Sequence, residues 1–483
     1  MVCCPSGDKA MILAPIALAL LTFAQSEQLT IAADLLHDGN GSIIHNAIVV
    51  VEDGRILSVS VGSAPKGALH LDGAVITPGL VDAFSYMGVH AATAEQRSES
   101  TPAARLAEVA DLDSPAFGRA LGEGVTAAFI TPDSLNVIGG LGTMVKTWGG
   151  QPSDLFAAAD TAARVIPGSE ALKVSLGRDP SVSNHAPWGQ PNDINTRRPT
   201  TRMGVTWILR REFHRALAYR QAGGSGDAEL DVLVDALEGR ITVRVQARRA
   251  HDVQTALRFR DEFQIPYLVI EEATEAHIAA ELLLDPGVAV ALGPAWDIRQ
   301  RAVSTGPSLE ELRAATFPPP VCCEHEHLEE DREGTGLYQL SDAGRDLLLL
   351  AAGEAATSAA TGMRFGRAGS SGRTTPANPH LLSSAGVIVA FGGAEVHDYP
   401  ATESSVIHQA RLAVRWGMDP AQAIKACTSI AARICGVGDH LGSIEAGKSA
   451  DLVLWSGDPL AADSNPILVI VDGRVAVDHR SVK

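Results

Sequence analysis

Between about Pro78 and Asp439 the sequence keeps switching period, from short β-branched runs to stretches with helical spacing and back. A chain that alternates in this way lays its strands parallel, since each return to the same edge of a sheet needs a crossover, and helices supply it. The runs VDAFSYMGV, ALGEGVTAAFI, ITVRVQA, YLVIEEA, VAVALG and GVIVAFGG mark six strand units, with two more around Lys146 and Leu172 to Leu176. Ala256 to Phe263, Glu281 to Leu284 and Glu403 to Trp416 carry the helical spacing. Eight units favour closure, so the expected class is α/β, a TIM-type (β/α)8 barrel, which needs roughly 250 residues or more.

The two ends have another texture. LTIAADLLHDGNG, IIHNAIVVVEDGRILSVS and LDGAVITPG at one end, and GSIEAGKSADLVLWSGDPL and ILVIVDGRVAVD at the other, are β-branched runs broken by Gly-Asn-Gly and Asp-Gly, which are hairpin signals. They predict one small β-sandwich domain formed from both ends, 26–78 with 440–483, beside a barrel over 79–439. Residues 1–25 read as a secretory signal peptide: Lys9 precedes an apolar run from Ala10 to about Leu21, and Thr22-Phe23-Ala24 offers small residues for cleavage. That run falls short of the roughly 20 residues that span a bilayer. The expectation is an exported protein, periplasmic or secreted, with no stable membrane insertion.

A net charge of −18 opposes unaided binding to nucleic acid or anionic lipid, both of which need clustered Lys and Arg. The expected partner is therefore a small molecule. Past the leader only Cys322, Cys323, Cys427 and Cys435 remain, too few for a disulfide framework in a domain this large. Arg178 to Thr201 and Thr316 to Thr375 lack clear periodicity and read as insertions at the barrel rim, where long loops commonly shape a pocket.

ITPGLVDAFSYMG, NVIGGLGTMVKTWG, PTTRMGV, ACTSIAARICGVGDHLGSIEAGKSADLVLWSGDPL and VDGRVAV occur in an order, and over a span from about Leu29 to Asp478, that resembles the imidazolonepropionase-like branch of the amidohydrolase superfamily. The resemblance implies hydrolysis of carbon–nitrogen bonds by a Zn-type ion that polarises a carbonyl and activates water. It also implies ligands at about 2.0 to 2.2 Å from a His-x-His pair ending strand 1, a His on each of strands 5 and 6, and an Asp ending strand 8. Carried onto this chain, those positions hold Phe84 and Tyr86, Gln246, Glu272 and, near the end of strand 8, Ala394. Phe cannot ligate, and Tyr does so only as a phenolate, whose ordinary pKa lies near 10. Losing the whole set removes most of the roughly 10 to 16 kcal/mol that a structural zinc site supplies. The expectation is therefore degenerate ligand positions, no metal and no cofactor, and a protein silenced or repurposed, binding a ligand, forming a homo-oligomer or assisting a catalytic paralogue. The alternative is an active hydrolase of cyclic amide or peptide-like bonds. It would use either a site rebuilt from His90, His251, His277, His397, Glu272, Glu395 and Asp398, or metal-free chemistry on Glu272.

Lys146 and Arg202 sit in glycine-bearing motifs and are candidates for holding an anion at the mouth, or else form structural ion pairs. Successive strand residues face opposite sides, so at most one of Glu271 and Glu272 is expected to line the pocket. Cys322-Cys323-Glu324-His325-Glu326-His327 is dense in soft ligands, yet Glu329, Glu330 and Asp331 follow at once, which favours a solvated acidic loop.

Overall fold

The computed structural model describes residues 28–89, 93–95, 97–149, 161–181, 184, 197–293, 375–393 and 405–481. The expected leader, Ala394, His90, His397, Glu395, Asp398, the Cys322 to His327 tract and most of both expected insertions lie outside the described residues.

The chain opens with β1 (Gln28–His37), β2 (Ile43–Glu52), β3 (Arg55–Val61), β4 (Leu69–His70) and β5 (Val75–Pro78). Turn chemistry sets their register. Asp38 Oδ1 accepts from the backbone of Asn40 and Ser42 across the β1–β2 turn. Asp53 and Gly54 both adopt positive φ, 48° and 78°, as a two-residue hairpin with the twist of its strands requires.

The barrel strands follow as β6 (Leu80–Ser85), β7 (Val125–Ile130), β8 (Ile138–Lys146), β9 (Ala171–Ser175), β10 (Thr242–Ala247), β11 (Leu268–Glu272), β12 (Val288–Leu292) and β13 (Val389–Phe391). Between and after them run α1 (Pro115–Gly122), α2 (Thr161–Arg164), α3 (Arg202–Gln221), α4 (Ala228–Leu237), α5 (Ala250–Phe263), α6 (Asn378–Ala385), α7 (Val406–Arg415), α8 (Pro420–Cys427) and α9 (Ser429–Ile434). All eight runs marked in the sequence are strands, lying side by side from β6 to β13 in chain order. One departs from the all-parallel expectation: β8 pairs antiparallel with both β7 and β9. The connection from β7 to β8 is too short to hold a crossover helix, so the chain turns back as a hairpin. The ring then nearly closes where β13 meets β6. Asp82 Oδ1 accepts from Gly393 N at 2.8 Å, and a Cβ at Gly392 would lie 2.5 Å from that of Phe84.

The chain ends with β14 (Leu452–Trp455), β15 (Pro466–Val471) and β16 (Arg474–Asp478), the last two joined through Asp472 and Gly473 with φ of 47° and 76°. Both ends share one hydrogen-bonded sheet in the order β16-β15-β14-β5-β1-β2-β3, with β4 on β1. Ile31, Leu36, Val49, Ile56, Ile76, Leu454 and Ile470 join in its apolar cluster. Trp455 is fully buried among barrel residues, and its indole donates to Thr77 Oγ1 at 2.9 Å. Among the described residues no helix is long and apolar enough to cross a membrane.

Candidate functional site

Inward-facing side chains at the C-terminal ends of the parallel strands stack in two layers, as period-two alternation dictates. The lower layer is Phe84 from β6, Phe129 from β7, Lys173 from β9, Arg244 from β10 and Glu271 from β11. The Lys173 ammonium bonds Glu271 Oε2, and Arg244 Nε donates to Glu271 Oε1 at 2.6 Å. Arg244 also donates to the Ala83 carbonyl and lies 3.9 Å over the Phe129 ring, while Lys173 lies 5.1 Å over that of Phe84. Side-chain exposure is 1% for each cation and 0% for the acid. Burial alone would raise the pKa of Glu271, but the two cations outweigh it and hold the carboxyl below its ordinary range.

The upper layer holds Tyr86, Thr131, Ser175 and Gln246, together with Asp179, Arg248 and Glu272 from the strand-end loops and tips. Arg248 NH1 donates to Asp179 Oδ2 at 2.6 Å, and its Nε bonds Glu272 Oε2. Burial disfavours the guanidinium charge, yet Asp179 and Glu272 more than compensate, so its pKa is raised. The Gln246 amide has two orientations: in one its nitrogen donates to Asp179 Oδ2 at 3.3 Å and Glu272 Oε2 at 3.4 Å, and in the other it donates to the Leu176 carbonyl at 2.9 Å while the oxygen accepts from Arg248 at 3.3 Å. Tyr86 stands edge-on to Phe84, with ring centroids 5.3 Å apart, and its hydroxyl is 3.4 Å from Ser134 Oγ. Burial, then the neighbouring Glu272 charge, push its pKa well up, so the phenol keeps its proton. Thr131 Oγ1, just past β7, and Ser175 Oγ are buried without a hydrogen-bond partner among the described residues.

Several expectations change here. Glu271 and Glu272 both face the barrel interior, because the backbone turns left-handed at Glu272 and Ala273, with φ of 65° and 46°. That twist breaks the alternation on which a single inward carboxylate was expected. Lys146 ends the antiparallel β8, so it lies at the opposite end of the barrel, where its ammonium is 2.8 Å from Asp451 and 2.9 Å from Asp472. It is a structural ion pair and does not reach the mouth. The glycines of its motif serve β8 itself: a Cβ at Gly140 would sit 2.5 Å from the Ala104 carbonyl. Arg202 opens α3 at the rim, where it contacts His251 Nε2 and lies 3.5 Å from Asp252. His277 meets Asn378 at 3.1 Å instead of turning to the strand tips.

Phe84, Tyr86, Gln246 and Glu272 do come together at the strand tips. The carboxylates there, Asp179, Glu271 and Glu272, are paired with guanidinium and ammonium groups. Among the described residues no group of three or more His, Cys, Asp or Glu could hold a metal. The sequence expectation passed over Lys173, Arg244, Asp179 and Arg248. Two of these were readable, since Arg244 within β10 and Arg248 just past its end share the parity of Gln246.

Comparison with known proteins gives the same architecture a context. Residues 349–476 match the amidohydrolase family. The curated amidohydrolase tasK of Hapsidospora irregularis is 25% identical over 467 residues, covering 89% of this chain. The chain spans only 40% of the length of that relative. The crystal structure of an amidohydrolase from Thermotoga maritima superposes with a TM-score of 0.66 at 23% identity, covering 93% of this chain and all of that one. The fold is thus shared with that solved structure, a TIM-type barrel with a β-sheet beside it.

Proposed function

We propose that this chain is an amidohydrolase-family protein, of the imidazolonepropionase-like branch, that has given up metal-dependent hydrolysis and keeps the barrel mouth for binding a small, uncharged polar molecule. One observation carries the reading: the carboxylates Asp179, Glu271 and Glu272 are each bonded to Lys173, Arg244 or Arg248. Among the described residues, three acids face three cations and make a neutral cluster. A divalent ion brought there would meet fixed positive charges and, among those residues, carboxylates already paired, and a charged ligand would pay to displace one of the pairs.

The unpartnered hydroxyls of Thr131 and Ser175 favour a ligand that forms hydrogen bonds, since a buried hydroxyl left unmet costs about 1–3 kcal/mol. Phe84 and Tyr86 supply the apolar contact that such a pocket pairs with its few polar groups. We place the protein outside the cytoplasm on the strength of its first 25 residues, acting alone, as a homo-oligomer or beside a catalytic paralogue.

Elemental analysis of the purified full chain, combined with hydrolysis assays on cyclic amides and dipeptides with and without chelator, tests the reading. The expected result is no stoichiometric transition metal and no chelator-sensitive turnover. Bound metal together with turnover that a chelator abolishes would overturn it in favour of a working hydrolase.

A further inference from the structure

We infer that the Arg248 guanidinium is a tethered stand-in for a divalent cation, closing a latent metal site made by Asp179, Glu272, Gln246 and Ser175. This rests on the reading of the mouth as metal-free and goes on to say what took the metal's place. Arg248 holds two carboxylates at once, Asp179 Oδ2 at 2.6 Å and Glu272 Oε2, and with the Gln246 amide turned over it meets that side chain's oxygen as well, at 3.3 Å. A cation gathering carboxylate and amide oxygens in a buried layer is the arrangement a hard divalent ion takes, with the charge carried on a side chain.

A second observation points the same way. Ser175 lies level with Gln246 in the β9–β10 ladder and two residues beyond the inward-facing Lys173, which directs it into the same layer. Its Oγ is fully buried and has no hydrogen-bond partner among the described residues. The guanidinium fork serves the two carboxylates and leaves this oxygen out, whereas a compact ion able to take 6–8 oxygen ligands has room for it.

Replacing the guanidinium by an apolar chain of similar length opens the site. In Arg248→Met, Asp179 and Glu272 are left facing one another without compensation, and Mn(II), Ca(II) or Zn(II) added from solution becomes the cation they lack. Thermal unfolding of the full chain with each ion, and again with EDTA, reads this out. Wild-type protein should unfold at one temperature in all conditions. Arg248→Met should unfold several degrees lower in EDTA and recover at least half of that shift in at least one of the ions, with Mn(II) bound near one equivalent by spin resonance.

A folded Arg248→Met protein that is blind to all three ions would overturn the inference, as would wild-type protein that takes up an ion at this cluster. The triple variant Asp179→Asn, Arg248→Met, Glu272→Gln removes the charges and keeps the shapes, so it should fold and ignore metal. If the triple variant folds while the single one fails to fold even with metal, or if neither folds, packing by Arg248 holds the site and the stand-in role is wrong. Chelator-sensitive hydrolysis by wild type would instead sink the functional reading, so the two failures are distinguishable.

Discussion

Glu271 is the residue on which the barrel interior turns, because its carboxylate meets both Lys173 and Arg244. Removing one member of a buried ionic group leaves uncompensated charge, at a cost of about 3–5 kcal/mol, whereas exchanging the whole group for apolar side chains is often neutral. Glu271→Gln should therefore lower the unfolding free energy by about that amount in urea titrations. Lys173→Met, Arg244→Met and Glu271→Leu combined should cost less than the single change. A second residue-scale test concerns His251, which accepts from Arg202 as a neutral ring and lies 3.3 Å from Asp252. Burial lowers its pKa, Asp252 opposes that, and Arg202 and Arg249 reinforce it. A folded pKa below the ordinary value of about 6.5 means that its contribution is whole above that pH and is lost as pH falls through the folded pKa. Melting temperatures of wild type should thus drop further than those of His251→Gln between pH 7 and pH 5. Equal slopes would show that the ring does not titrate against Arg202. Of these side chains, Phe84, Tyr86, Gln246 and Glu272 were legible as strand-tip positions only through the resemblance of their motifs to amidohydrolase strand ends. The partnership of Glu271 with Glu272 was not, since nothing in YLVIEEATEAH announces two successive residues with positive φ.

At the scale of elements, the strands were readable and their direction was not. The run around Lys146, IGGLGTMVK, reads as a strand equally well whichever way it runs. What decides is the length of the link from β7, and only a structure shows that β8 turns back. The consequence reaches function, because an antiparallel strand delivers Lys146 to the wrong end of the barrel for catalysis or binding. β8 also explains its glycines. Leu141 N donates to the Ala104 carbonyl at 2.7 Å, which draws the 101–105 segment against the strand, and Gly140 has φ of 105° just where a Cβ would strike it. Ala at this position meets both a backbone carbonyl and a left-handed conformation that costs an L residue about 1–2 kcal/mol before any clash. Gly140→Ala should therefore destabilise by about 2 kcal/mol or more in urea titrations, the clash adding to the backbone cost. Gly118→Ala, on a helix with open space around it, should be neutral or mildly stabilising. A Gly140→Ala protein as stable as wild type would mean that the 101–105 segment yields freely.

The whole molecule is a barrel whose lower end rests on a sheet made from the two chain ends, and the same barrel carries two separate ionic systems. One, at the mouth, concerns what the protein can bind. The other concerns how its parts hold together: Lys146 comes from β8, whereas Asp451 and Asp472 lead into and out of the β14–β15 pair of the terminal sheet. Asp451 Oδ1 also accepts from Asp472 N at 3.0 Å, and its carbonyl accepts from Gly79 N at 2.8 Å, so the ion pair sits at the seam where β5 passes into the barrel. Burial lowers the Lys146 pKa while Asp451 and Asp472 raise it further, leaving it above its ordinary value. A raised folded pKa contributes stability that is complete below about pH 10.4 and disappears as pH climbs through the folded value, so the clamp is intact at every physiological pH. Lys146→Met leaves the buried Asp451 without a cation beside the half-exposed Asp472, and a loss of about 3 kcal/mol, the low end for a broken buried pair, is expected. The loss is directional. Hydrogen exchange should quicken first in β14 to β16 and in β5, with amides of β9 to β11 protected as in wild type, because those strands are held by the Lys173–Glu271–Arg244 group and not by the seam. Uniform loss of protection across barrel and sheet would show that the two systems unfold as one, and that the clamp contributes to global stability alone.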